Sequence, residues 1–289
     1  MARMAGTAAL AERLLDVAVV STTSVAGGDI CTTTRLRLTD GRSAVIKTRP
    51  QAPAGFFTTE AEGLNRLRDA GGAPVPGVLA ADEECIILEW VEPTKPTTEM
   101  AEAFGRNLAA THRAGAARFG ADHDGFVGLA PLPNRPSATW EEFYASRRVM
   151  PYVKAAADRG SLSLEQAKVI EQVMRRLPSL TADPEPPALI HGDLWSGNLV
   201  WSADGVHLID PAAHGGHRET DLAMLSLFGA PHLQRILDAY QDVAPLQEGW
   251  AERVALHQLH PLLVHAMLFG GAYGPRAAAA AQSLLDGRS

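Results

Sequence analysis

Residues 191–198 read His-Gly-Asp-Leu-Trp-Ser-Gly-Asn, and after one short apolar hairpin the chain reaches Ile209-Asp210. This segment constrains the fold more than any other. Asp193, Asn198 and Asp210 can act together only if a tight turn and a hairpin return them to one place. Asp193 would then accept the proton of an attacking hydroxyl. Asn198 offers a neutral oxygen and Asp210 a charged one, the hard donors that Mg²⁺ takes when the rest of its shell is water and phosphate. The competing reading is a polar turn in which Asp193 and Asn198 cap backbone groups. Chance produces His-x-Asp-Leu-x-x-x-Asn on the order of once per thousand chains of this length, so the chemical reading is preferred.

The spacing resembles the catalytic loop of kinases. Two departures narrow it. Gly192 stands where protein kinases carry an arginine that reads a phosphorylated activation loop. Asp210-Pro211-Ala212 replaces Asp-Phe-Gly, with no Ala-Pro-Glu segment after it. No phosphorylation switch is encoded, and the expected acceptor is a small hydroxylated molecule rather than a peptide.

Upstream, Val17 to Val25, Ile30 to Leu38 and Ser43 to Thr48 read as strands, the last two joined at Asp40-Gly41, a hairpin signal. Gly27 and Gly28 lie where a kinase brings bare backbone N–H groups over nucleotide phosphates, although Gly-Gly between strands is also simply a turn. Ala44-Val45-Ile46-Lys47 puts a lysine on a strand, as expected of a residue that neutralises phosphates. Phe57 to Ala70 reads as a helix with Leu64 and Leu67 inward. Glu60 in its first turn is the expected partner of Lys47; each alone would be an ordinary solvated charge. Val75 to Ala80 and Glu84 to Trp90 complete five strands, and backbone at Glu89 to Val91 would meet an adenine edge. Val91 to Pro96 marks a boundary between a nucleotide-binding lobe over 1–92 and a catalytic and acceptor-binding lobe over 93–289. The expected class is α+β: a protein-kinase-like, two-lobed fold with a five-stranded antiparallel sheet and one helix first, then a mostly helical lobe.

In the second lobe, Thr97 to Ala114 and Trp140 to Val153 read as helices flanking a Gly-, Pro- and Asp-rich loop, 118–139, of a kind that often binds ligands. His112 reads as a satisfied core histidine. Gly215 to Asp221 opens a further helix, with Asp221 near its positive end and expected to order a loop rather than bind metal. His257, His260 and His265 fall in an apolar C-terminal helix. No third ligand completes a zinc set, so packing is expected, with His265 a candidate for lining the acceptor pocket.

Composition limits the partners. The 289 residues accommodate two lobes around one cleft, and the net charge of −7 disfavours nucleic acid while suiting a cationic acceptor. Met1 to Leu15 lacks a signal-peptide pattern and no apolar run is long enough for a membrane, so a cytoplasmic location is expected. Two cysteines, Cys31 and Cys85, suit a reducing compartment. A monomer is the simplest expectation.

Four segments carry a closer resemblance: Trp140-Glu141-Glu142-Phe143-Tyr144 with Arg147-Arg148, the run Asp193 to Asn198, Gly216-His217-Arg218-Glu219, and Asp221-Leu222-Ala223. They resemble the fructosamine kinase (ketosamine kinase) family, relatives of the aminoglycoside and choline kinases. The resemblance implies ATP- and Mg²⁺-dependent phosphorylation of the 3-hydroxyl of a ketosamine, free or protein-bound, which makes the adduct prone to break down. On matching positions it implies Asp193 as base, Asn198 and Asp210 as metal ligands, and Lys47 with Glu60 at the phosphates. Trp195 would either stack on the adduct or pack beneath its loop. Asp29 in the Gly-rich turn departs from the family pattern. Two other readings are an aminoglycoside or amino-alcohol kinase and a nucleotide-binding pseudokinase. The intact catalytic positions stand against the last.

Overall fold

The computed structural model describes the backbone of residues 2–26 and 30–287, and side chains from residue 6 onward within those spans. The phosphate contacts expected of Gly27 and Gly28 lie outside the described residues, as does Asp29.

The first lobe runs α1 (Ala2–Leu15), β1 (Val19–Ser24), β2 (Thr32–Leu38), β3 (Ser43–Thr48), α2 (Phe56–Asp69), β4 (Val78–Ala81) and β5 (Cys85–Glu89), with the strands in one antiparallel sheet ordered β1-β2-β3-β5-β4. Strand alternation assigns the two faces. Ala44 and Ile46 join Ala11, Leu36 and Ile87 under α1, whereas Val45 joins Phe57, Leu64, Ile86 and Leu88 under α2. Lys47, two residues beyond Val45, therefore lies on the α2 side. The buried stripe of α2 includes Phe57, Glu60, Ala61 and Leu64, which aims Glu60 at the same face.

This lobe has two helices, not the single one expected. The first turns of α1 are rich in Ala and Gly with no acidic residue, a weak helix-start signal. It is held by tertiary contact, with Ala11 fully buried and Leu10 and Leu14 packed on the sheet. The fourth strand begins at Val78 rather than Val75 because Pro74 and Pro76 cannot donate to a ladder. Helix α2 starts one residue early, so Glu60 sits in its second turn.

The second lobe continues with α3 (Thr98–Arg113), a hairpin of β6 (Gly125–Val127) and β7 (Ala130–Leu132), α4 (Trp140–Phe143), α5 (Met150–Asp158), α6 (Leu164–Arg175), β8 (Ala188–Ile190), β9 (Leu199–Ser202), β10 (Gly205–Leu208), β11 (His214–Gly216), α7 (Arg218–Phe228), α8 (Leu233–Val243), α9 (Trp250–Phe269) and α10 (Tyr273–Asp286). Trp140 to Val153 is not one α-helix: a π-helical stretch over Tyr144–Val149 interrupts it. Pro151 explains the break, since it has no N–H for the carbonyl of Arg147 and its ring crowds that oxygen. The freed carbonyls are satisfied elsewhere: Arg147 O accepts from Arg148 Nη1 at 3.3 Å and Arg148 O from His260 Nδ1 at 2.8 Å. Gly215 and Gly216 are not in a helix but pair with Leu189 and Ala188, and α7 starts at Arg218.

Two cores organise this lobe. One gathers Phe143, Tyr144, Tyr152, Ile170, Leu259 and Leu263; the other joins α3 and α8 to the β9–β10 hairpin through Phe104, Leu108, Ile236, Tyr240, Leu199 and Leu208. Leu194 belongs to the second core and is fully buried. Its insertion pins the 191–198 loop from below. The lobes touch through Ala73 N donating to Thr111 Oγ1 at 2.8 Å and Phe126 against Phe56 at 5.4 Å between ring centres. Among the described residues no helix is long and apolar enough to cross a membrane.

Candidate active site

The fold brings Lys47, Glu60 and Asp210 into contact. Lys47 Nζ donates to Glu60 Oε1 at 2.5 Å and also to Asp210 Oδ1, so one ammonium ties the first lobe to the second. Burial alone would pull the Lys47 ammonium down, but Asp210 and Glu60 outweigh it and the pKa is raised. It stays charged. Burial pushes Glu60 up, opposed by Lys47. Asp210 adopts φ +54°, in the left-handed region that non-glycine residues rarely occupy and that recurs at functional turns.

Asn198 Nδ2 donates to Asp193 O at 2.8 Å and to Asp193 Oδ2 at 3.1 Å. The amide nitrogen is thereby spent on Asp193, leaving Asn198 Oδ1 as an acceptor. Burial, then the charge of Asp210, raises Asp193 to about 7, against the stabilising bond from Asn198. A carboxyl near 7 is poised as a base at neutral pH.

The loop is fixed from behind. Asp221 Oδ2 accepts from His191 N at 2.7 Å and Oδ1 from Gly192 N at 2.9 Å. Its Oδ2 also lies 3.1 Å from His112 Nε2, and His112 Nδ1 meets Tyr240 Oη at 2.9 Å. Asp221 thus orders the loop and His112 is a satisfied core residue, as expected. His191 Nε2 donates to Ile209 O at 2.9 Å while Nδ1 accepts from Asp193 N at 3.2 Å, joining the loop to the strand end before Asp210. Gly192 has φ +82°, and a Cβ there would lie 2.3 Å from Ala212 O.

Trp195 is 39% exposed and folds over Gly197, where a Cβ would fall 2.2 Å from the ring. Its ring centre lies 6.2 Å from Phe228, which lies 5.0 Å from His265; Phe269 and Tyr273 flank His265 at 5.5 and 4.9 Å. The structure therefore joins Trp195 and His265 in one aromatic wall contiguous with the loop bearing Asp193. Phe228, Phe269 and Tyr273 were not anticipated; their helical context gave no signal beyond packing. His265 Nδ1 donates to Pro261 O at 2.7 Å, and burial lowers its pKa, so Nε2 carries a lone pair.

The carboxylate of Glu89 folds back to accept from Gly77 N at 3.0 Å, and Glu89 N donates to Gly77 O. What Glu89 and Val91 can offer a base is backbone. Both cysteines are thiols: burial pushes Cys31 up to about 11 and Cys85 up to about 12.

His257 and His260 do not act together. His260 binds Arg148 O, while His257 joins His217 and Glu219, each offering one ligand atom within 4.8 Å of the others. Arg253 forks Glu219, with Nε and Nη2 donating at 2.9 and 2.6 Å, and Thr220 Oγ1 lies 2.9 Å from His257 Nδ1. Arg253 takes one bond on each Glu219 oxygen and His257 Nε2 also lies 3.3 Å from Oε2, so the cluster ties α7 to α9, and it brings to His257 the Glu and second His that the sequence reading did not place there.

The sequence matches the profile of the fructosamine kinase family over residues 4–287. A protein of Enterococcus faecium described as a ketoamine kinase is 34% identical over 255 residues, covering 86% of this chain and 90% of that one. A Thermus thermophilus protein so described is 37% identical over 247 residues, covering 86% and 87%. The crystal structure of a Thermobifida fusca protein described as a fructosamine-3-kinase superposes with a TM-score of 0.92 at 49% identity, covering 96% and 98%. A choline kinase from Streptococcus pneumoniae shares the fold, with a TM-score of 0.64 at 16% identity. Matched end to end in sequence and architecture, the chain belongs to the fructosamine kinase family.

Proposed function

We propose that this enzyme transfers the γ-phosphoryl group of ATP to the 3-hydroxyl of a ketosamine, such as a fructosamine or ribulosamine of lysine. The observation that carries the reading is the contact of Lys47 from one lobe with Asp210 from the other beside the Asp193–Asn198 pair. Family membership supports ATP as donor and a ketosamine as acceptor.

Asp193 takes the proton of the sugar hydroxyl as the oxygen attacks phosphorus. Asn198 holds the carboxylate in place. Lys47, steadied by Glu60, neutralises phosphate charge, which with positioning is most of what phosphoryl transfer demands of a protein. Asn198 Oδ1 and the 44% exposed carboxylate of Asp210 form a neutral-plus-charged oxygen set that fits Mg²⁺. When bound there, Mg²⁺ would offset charge on the phosphates. Trp195 and His265 Nε2 give the acceptor an aromatic face and a hydrogen-bond acceptor for a hydroxyl or protonated amine.

The test is a panel: fructosyl-lysine, ribulosyl-lysine, kanamycin and choline with Mg²⁺·ATP, the phosphorylated carbon then located by NMR. Turnover of the ketosamines with phosphate on the 3-oxygen is expected. Turnover of kanamycin without either ketosamine would favour an aminoglycoside kinase instead.

A further inference from the structure

Arg148 is a buried cation to which no carboxylate is bonded among the described residues. Only 2% of its surface is exposed, and its guanidinium is shared among three segments. Nη2 donates to Asn134 Oδ1 at 2.5 Å, Nη1 to Pro133 O at 2.6 Å, and Nε to His214 Nε2 at 3.3 Å, with the Phe143 ring 4.3 Å away. A guanidinium buried in this way carries a desolvation cost that an apolar residue would avoid. Its position suggests why it is there.

The bond to His214 settles the imidazole tautomer. Nε2 accepts from Arg148, so Nδ1 carries the proton and donates to Ala212 O at 2.7 Å. On its other side, Ala212 N donates to His191 O at 2.9 Å. The peptide groups of Ala212 are thus held between His214 and the catalytic loop. Ala212 follows Asp210-Pro211, and Asp210 occupies an unfavourable φ that its surroundings must maintain. Through Asn134 the same guanidinium grips the 119–136 loop, which pairs with β11 by Gly120 N to Gly215 O at 2.8 Å.

We propose that Arg148 is a positioning residue for phosphoryl transfer: by holding His214 in its Nδ1–H form, it fixes Ala212 and therefore the carboxylate of Asp210 against the catalytic loop. This rests on the reading of Asp210 as a metal ligand. Residues that orient metal ligands from behind typically contribute about 10- to 100-fold to metal affinity or activity.

The experiment is calorimetric binding of a non-hydrolysable ATP analogue over a Mg²⁺ series, for the wild type, Arg148→Met, His214→Phe and Asp210→Ala. Arg148→Met and His214→Phe should raise the Mg²⁺ concentration for half-maximal nucleotide affinity about tenfold. Metal-free nucleotide affinity should stay within about twofold, because Lys47 keeps Glu60 as its partner even where Asp210 shifts. A general loss of structure would weaken both together. If Asp210→Ala leaves the Mg²⁺ dependence unchanged, the metal-ligand reading has failed. If Asp210→Ala shifts it and a folded Arg148→Met does not, the positioning role is refuted. Should Arg148→Met not fold, His214→Phe decides by the same comparison.

Discussion

Asp193→Asn is expected to make the protein more stable and nearly inactive, with the stability gain absent below about pH 4 and growing as pH rises to about 7. In the folded chain the Asp193 carboxyl is raised from 3.8 to about 7 by burial and by Asp210. A raised carboxyl favours the protonated form, so its contribution is intact below the unfolded value near 4 and is lost as pH rises toward 7. Each pH unit is about 1.4 kcal/mol, so between pH 5 and pH 8 the wild type gives up at most about 2.7 kcal/mol to ionise Asp193. The carboxyl keeps some contact with water at the cleft floor, which reduces the expected difference to about 1–2 kcal/mol. Asn cannot ionise, and its side-chain oxygen still accepts from Asn198. Urea denaturation of both proteins at pH 5 and pH 8, without nucleotide or Mg²⁺, should therefore show the variant gaining about 1–2 kcal/mol on the wild type as pH rises. The same substitution should lower kcat by about 10²- to 10⁴-fold. An unchanged difference across pH would refute the electrostatic account of this site; a kcat above about a tenth of wild type would refute the base.

Asp210→Ala should weaken Mg²⁺-dependent nucleotide binding and turnover together, because it removes the charged oxygen of the set; unchanged affinity and rate would make Asp210 a structural strand end. Trp195→Ala should raise KM for a ketosamine far more than KM for ATP. Gly197→Ala, which pushes a methyl into the Trp195 ring, should do the same, and equal loss toward both substrates would point to collapse of the loop. Asp221→Ala should destabilise the protein by about 3–5 kcal/mol, since two loop N–H groups and His112 lose a buried partner; a change in melting temperature below about 2 °C would contradict it.

The parts of this site legible in sequence are those whose geometry is set locally. Asp193 and Asn198 are five residues apart in one turn, and Lys47 falls on the α2 side because Val45 does. Glu60 follows from the stripe it shares with Phe57 and Leu64. What stayed hidden depends on partners distant in sequence. Arg148 meets His214 across 66 positions and Glu219 meets Arg253 across 34, and no periodicity reports such pairs. Strand β11 reads His-Gly-Gly and has no strand propensity; it exists because Leu189 and Ala188 supply the ladder. Helix α1 was missed for a related reason, since its stability comes from the sheet beneath it. The π-helical stretch had a signal in Pro151, which frees the carbonyl of Arg147 without saying that the Arg148 guanidinium will satisfy it.

The close approach of Gly192 to Ala212 also bears on how such an enzyme can evolve. In protein kinases the corresponding position carries the arginine that senses a phosphorylated segment. Here even a methyl group would strike a backbone oxygen at 2.3 Å, from a left-handed backbone that a substituted residue resists. A substitution at Gly192 alone meets this clash, because the carbonyl that must retreat is that of Ala212, two residues beyond Asp210. Such control at this position would require rebuilding both loops together.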